Sequence, residues 1–121
     1  MKKILIIEDE AALQHAATQA LKESGFDVLS AVDGDQGLRL AETELPDLIL
    51  LDIILPKKDG FEVLSELKKV DKTKNIPVIV LTNLESPGDV QKALELGAKT
   101  YLVKLNYRLE EIVEKIKEVL G

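Results

Sequence analysis

Asp52 is the only charged residue in LILLDIILP (Leu48 to Pro56), whose other members are Leu and Ile up to the closing Pro56. Such a run reads as a strand buried on both faces, where an isolated carboxylate is costly unless it is paired. Marking the other short apolar runs as strands brings further polar residues to the same kind of position. Glu8 and Asp9 follow ILII, Thr82 closes VIVL, and Lys104 closes TYLV. Each alone has a plain structural use: the acids as helix caps, Thr82 for its strand propensity, Lys104 as an ion-pair partner of Asp52. Together they gather three carboxylates, a hydroxyl and an ammonium at one edge of a sheet. Three close carboxylates raise one another's pKa unless cations neutralise them, and one lysine is too few for three. A hard divalent cation such as Mg2+ fits, since it takes oxygen ligands, keeps several waters and is held by one or two carboxylates plus a phosphate oxygen. The chemistry indicated is phosphoryl transfer. Asp52 would be the nucleophile and form an aspartyl-phosphate, Lys104 and the metal would neutralise phosphoryl charge, and Thr82 would donate a hydrogen bond.

The elements that must position these residues follow from the spacing of apolar positions. Strands are expected to begin near Ile4, Val28, Leu48, Val78 and Tyr101, separated by segments of helical period, the cadence of βα units on a parallel sheet. The last helix is the clearest, with Leu109, Ile112, Val113, Ile116, Val119 and Leu120 on one face. Leu13, Ala17, Ala20 and Leu21 mark the first helix, which Gly25 ends. Val90, Ala93 and Leu94 mark the fourth, with Ser86 as N-cap, Pro87 at the first helical position, Asp89 for a capping box and Gly97 at the end. The second and third helices are expected at about 35–44 and 60–70. The product is a five-stranded parallel sheet with helices on both faces. It is expected to form a single domain over residues 1–121 with no output domain in the chain. In such sheets the site lies at the carboxyl ends of the strands.

Composition narrows the partners. The 121 residues are 45% hydrophobic and 31% charged, with a formal net charge of −6 and no Cys. The acidic balance does not advertise nucleic-acid or anionic-membrane binding, and thiolate chemistry is excluded. No apolar segment approaches the ~18 residues of a spanning helix, and the MKKILIIEDE start is too short and too acidic for a signal peptide. A cytoplasmic protein is expected.

The set Glu8, Asp9, Asp52, Thr82, Tyr101 and Lys104, with the segments LDIILPKKDG and LELGAKTYLVK, resembles the receiver domain of bacterial two-component response regulators. The resemblance runs over essentially the whole chain with the motif spacings kept. It implies the flavodoxin-like (βα)5 fold with strand order 2-1-3-4-5. It implies that Asp52 accepts a phosphoryl group from the phospho-histidine of a sensor kinase or a histidine phosphotransfer protein. Glu8, Asp9, Asp52 and the carbonyl of Ile54 would bind Mg2+, and Lys104 would contact the phosphoryl group. Thr82 would move toward that group and Tyr101 would turn inward, reshaping the face made by helix 4, strand 5 and helix 5 for a downstream protein. Such a switch promotes only its own phosphorylation and dephosphorylation, so it is not counted as an enzyme. A monomer or weak dimer is expected, without direct contact to nucleic acid and without membrane insertion.

The chain departs from that pattern in several places. Leu105 follows Lys104 where the family usually has Pro after a cis peptide bond, so a trans bond is expected here. Asn83 stands where a small residue is common, narrowing access to Asp52 or reaching the phosphoryl group. Ile54 cannot orient a hydrolytic water, which points to a slowly hydrolysing phosphoryl-aspartate. Lys99 and Thr100 replace the Asp-Asp used for dimer salt bridges in a DNA-binding branch of the family. Lys57 and Lys58 read as a solvated loop, and His15 as a polar helix position. The alternative is a receiver-like adaptor that binds its partner independently of phosphorylation. An Asp-based phosphatase fits poorly, since it generally needs a second acid where Ile54 stands. An FMN module fits worse, since Glu8, Asp9 and Glu10 would face its phosphate.

Overall fold

The computed structural model describes residues 1–121. Five strands, β1 (Lys3–Ile7), β2 (Asp27–Ala31), β3 (Leu48–Leu51), β4 (Val78–Thr82) and β5 (Thr100–Val103), alternate with five helices. These are α1 (Ala11–Glu23), α2 (Gly34–Glu44), α3 (Gly60–Lys69), α4 (Pro87–Glu95) and α5 (Leu109–Leu120). All strand pairs are parallel, in the order β2-β1-β3-β4-β5, so the expected fold class and strand order hold.

The near-continuous apolar strands have a simple cause. Successive side chains of a strand point to opposite faces, and both faces are covered. Leu5, Ile7, Ile49, Leu51, Val78 and Val80 pack on one side with Val63, Leu64, Leu67 and Ala93 of α3 and α4. Ile4, Ile6, Leu48, Leu50, Ile79 and Leu81 pack on the other with Ala17 and Leu21 of α1 and Ile112, Val113 and Ile116 of α5. Removing one of these Leu or Ile side chains to Ala would cost about 2–5 kcal/mol.

The helix boundaries lie within a residue of expectation for α2 and α3, whose N-caps are Asp33 and Asp59. Ser86 caps α4 by accepting the Asp89 N–H at 3.3 Å, with Pro87 next in line, which is the Ser86 half of the expected capping box. Gly25 and Gly97, with φ of +93° and +111°, make the left-handed turns that end α1 and α4. α1 begins differently from a simple reading of its acids as caps. Its N-cap is Glu10, and no side-chain hydrogen bond closes that end. Lys104 also differs from expectation: it opens a short 3-10 turn, Lys104–Asn106, just past β5 instead of closing the strand. Every peptide bond is trans, including Lys104–Leu105. No helix is long and apolar enough to cross a membrane.

Candidate functional site at the carboxyl edge of the sheet

Asp52 is the first residue after β3, and its N–H donates to the Ile7 carbonyl at 3.0 Å, which seats it beside the end of β1. Its carboxylate oxygen Oδ1 accepts the Ile54 N–H at 3.1 Å. Gly60 allows this loop to close. A Cβ there would lie 2.4 Å from the Asp52 carbonyl oxygen and 2.5 Å from the Ile53 Cα. The backbone of α3 can therefore start directly against the Asp52 backbone, and the Gly60 N–H donates to the Ile53 carbonyl at 2.8 Å.

Lys104 reaches across from the 3-10 turn. Its Nζ donates to Asp52 Oδ2 at 2.8 Å and to Glu8 Oε1 at 2.5 Å, with Glu10 Oε1 at 3.4 Å. Glu8 and Asp52 are only 4% and 5% exposed, so two buried carboxyl groups share this one ammonium. The carboxylate oxygens of Glu8, Asp9 and Asp52 also lie within 4.8 Å of one another. Thr82 is fully buried at the end of β4, where the Leu84 N–H approaches its hydroxyl at 3.5 Å. Beneath the site is a cavity of about 10 Å3 lined by Glu8, Asp52, Leu13, Ala17 and Leu81, with Ile6 among its walls. That is room for about one water.

The electrostatics divide the two buried acids. Burial, reinforced by the adjacent Asp52, pushes the Glu8 carboxyl up to about 8. Its second oxygen, Oε2, is buried without a hydrogen-bond partner, which penalises the charged form further. Burial alone would raise Asp52 as well. The neighbouring Glu8, Lys104 and Thr82 side chains outweigh it, Lys104 through its 2.8 Å bond to Oδ2, and Asp52 is held below the usual carboxylate range. Burial works against the Lys104 charge too, but Asp52 and Glu8 outweigh it and raise the ammonium pKa. The donor set is one that a hard divalent cation fits. It offers three oxygen-bearing carboxylates in one cluster, one with an orphaned buried oxygen, and a net negative charge that one lysine does not cancel.

The sequence-predicted residues thus fall into two groups. Glu8, Asp9, Asp52, Thr82 and Lys104 meet at one edge. Tyr101 lies apart on β5, half-buried, with its hydroxyl donating to the Leu84 carbonyl at 2.7 Å, so it already faces the loop after Thr82. Ile54 is 56% exposed and Leu105 81% exposed, while Asn83 is exposed on the same loop as Leu84. Lys57 and Lys58 are engaged in ion pairs, with Asp33 at 3.8 Å and with Glu66 at 2.7 Å. His15 is exposed on α1. The sequence names Glu10 only as part of the acidic run Glu8–Glu10 and gives Gln14 no role. Glu10 joins Lys104, and the Gln14 amide donates to the Glu8 and Ala31 carbonyls at 2.9 Å each. A charge next to an acidic pair was the available signal for Glu10, whereas a lone Gln in a helix carries none.

Sheet order and edge chemistry coincide with a single class of α/β domain, the receiver. The chain belongs to the response regulator receiver domain family, whose sequence profile it matches over residues 4–117. Among curated relatives it is 40% identical over 119 residues to the alkaline phosphatase synthesis transcriptional regulatory protein PhoP of Bacillus subtilis, covering 98% of this chain and 48% of that protein. The chain spans about half the length of the curated relatives it matches. Among solved structures it resembles a CheY-like response regulator receiver domain protein from Methanospirillum hungatei. The TM-score is 0.92 at 32% identity, covering 99% of this chain and 94% of that one. It also resembles the Mn(2+)-bound form of the response regulator Rcp1, with a TM-score of 0.80 at 34% identity over 98% of this chain and 91% of that one.

Proposed function

We propose that residues 1–121 act as one receiver domain that takes a phosphoryl group onto Asp52 and passes the signal on by protein contact. The observation that carries this reading is the pair of bonds from Lys104 Nζ to Asp52 and Glu8, which keeps an ionised, buried carboxylate at the sheet edge. An Asp52 oxygen attacks the phosphorus of a phospho-histidine on a sensor kinase or phosphotransfer protein. The new O–P bond forms as the P–N bond breaks, and the imidazole leaves with the electron pair. Lys104 neutralises charge on the transferring oxygens and the Thr82 hydroxyl donates to one of them. Glu8, Asp9, Asp52 and the Ile54 carbonyl hold Mg2+, which when bound supplies charge neutralisation at the phosphoryl oxygens. The Mn(2+)-bound state of the related Rcp1 supports this assignment.

Tyr101 and Thr82 connect the site to its output. The Tyr101 hydroxyl and the Leu84 carbonyl tie β5 to the loop after Thr82, so a shift of Thr82 toward a phosphoryl group moves the face formed by α4, β5 and α5. A downstream protein binds that face, in the cytoplasm, with the domain a monomer or weak dimer. The domain turns over no substrate beyond its own phosphoryl group.

Incubation with a small phosphodonor such as acetyl phosphate and Mg2+ tests the reading by intact mass. The expected result is an adduct of about 80 Da, one phosphoryl group on a carboxylate, that is lost in Asp52→Ala. No adduct on the wild type overturns it. Beryllofluoride with Mg2+ should move the amide resonances around Thr82 and Tyr101. A binding partner that ignores it would mark an adaptor instead.

A further inference from the structure

We propose that Gln14 is a positioning residue that holds the acidic segment Glu8–Glu10 in the geometry a divalent cation needs. Its side chain turns back from the first turn of α1 to the edge of the sheet. The amide nitrogen donates to the Glu8 carbonyl and to the Ala31 carbonyl, each at 2.9 Å. Both partners are acceptors only, so the nitrogen must be the atom that faces them, and both of its N–H groups are used. The Ala31 carbonyl also accepts the Glu8 N–H at 3.0 Å. A closed ring results: Glu8 N–H to Ala31 O, Gln14 to the same oxygen, and Gln14 to Glu8 O. Both backbone polar groups of Glu8 are fixed before the chain leaves the sheet.

No side-chain cap fastens the start of α1. α2, α3 and α4 each begin with a side-chain cap from Asp33, Asp59 or Ser86, whereas Glu10 makes none at the start of α1. The same uncapped segment carries three consecutive acids, Glu8, Asp9 and Glu10. Like charges in a free turn relax by moving apart, which lowers the density of negative charge offered to a cation. With the Glu8 backbone clamped from both sides, that relaxation is limited to the side chains. Glu8 keeps its place beside Asp52, and Asp9 starts from a fixed backbone. Partners that orient ligands without touching the metal commonly change metal affinity by about 10–100-fold when removed.

The inference rests on the reading that Glu8, Asp9 and Asp52 bind a divalent cation, and the test separates the two. Gln14→Met keeps side-chain length and helix propensity but removes both donors. Mg2+ is titrated into wild type and variant, following the amide resonances of residues 8–10, with thermal melting of the metal-free proteins in parallel. The expected result is a half-saturation about 10-fold higher for the variant, with a melting transition close to the wild type. Phosphorylation at saturating Mg2+ should be restored, since only the affinity has changed. Equal half-saturation in both proteins overturns the role of Gln14 while leaving the cation site standing. No saturable response in the wild type removes the cation site itself, and the role of Gln14 with it. Gln14→Asn, whose amide is one methylene too short to reach both carbonyls, gives the same comparison if the Met variant does not fold.

Discussion

If Glu8 ligates a divalent cation as proposed, binding is pH-dependent in a window where most carboxylates are silent. A metal must bind its deprotonated form, yet burial and Asp52 push the Glu8 carboxyl up to about 8. The apparent Mg2+ dissociation constant is then multiplied by one plus the ratio of protonated to ionised Glu8. From a pKa of about 8 that factor is roughly 100 at pH 6, roughly 10 at pH 7 and roughly 2 at pH 8. Titration calorimetry at pH 6, 7, 8 and 9 should show affinity rising about tenfold per unit up to pH 7 and levelling off above pH 8. At pH 7, repeating the titration in buffers of different ionisation enthalpy should reveal about 0.9 proton released per ion bound. Glu8→Gln should bind more weakly and lose the pH dependence. Without metal, the folded protein keeps the Glu8 proton up to about pH 8 while the unfolded chain loses it near 4.5, so the folded state binds more protons between those values. Stability should therefore be highest, as far as Glu8 is concerned, below pH 4.5 and fall as the pH rises through 8. Asp52 has the opposite sign: its contribution is present above the ordinary carboxylate pKa and is lost as the pH falls through its lowered folded value. An Mg2+ affinity that is flat from pH 6 to 8 would refute the reasoning.

Two further outcomes are expected. Ile54→Asn should shorten the lifetime of the phosphoryl-aspartate, measured as loss of the mass adduct with time, because an amide can orient a water where Ile54 offers only methyl groups. An unchanged lifetime would mean that Ile54 does not limit hydrolysis. Gly60→Ala should destabilise the fold by about 1–3 kcal/mol in urea unfolding, since the new methyl meets the backbone of Asp52 and Ile53 well inside contact distance. A loss under about 0.5 kcal/mol would mean that the loop yields easily.

The fold was legible in the sequence because its strands are buried on both faces. ILII, LILL and VIVL need no partner to be recognised as parallel-sheet strands, and once they are aligned their carboxyl ends bring Glu8, Asp9, Asp52, Thr82 and Lys104 together. What was hidden depends on contacts between distant residues or on local competition. Lys104 bonds to Glu8 across 96 positions, and nothing near either residue announces the pair. The sequence reading paired Lys104 with Asp52 alone. The 3-10 turn at Lys104–Asn106 is a local choice at the end of β5, where TYLVK gives no stop signal. The bare N-cap at Glu10 is a similar case, because an acid is a plausible cap and only the geometry shows that it is turned toward Lys104 instead. Gln14 is a helix former at a helical position, and its real partners lie on two strands.

On the proposed reading, the readiness of Asp52 as a nucleophile is shared among residues that could each be mistaken for structure. A nucleophilic carboxylate must be ionised, and the burial that fixes Asp52 rigidly works against that. Lys104 supplies the opposing charge, and Glu8 takes up the proton that would otherwise compete for Asp52. Two adjacent buried acids cannot both be charged cheaply beside one ammonium, so the site assigns the charge to the one next to the Ile54 N–H. Neutral Glu8 is then a reserve of negative charge beside Asp52, released when an incoming cation displaces its proton or the pH rises through about 8. In the proposed receiver, the arrangement would link two events that a simple triad of carboxylates would leave independent: binding the metal and shedding a proton beside Asp52.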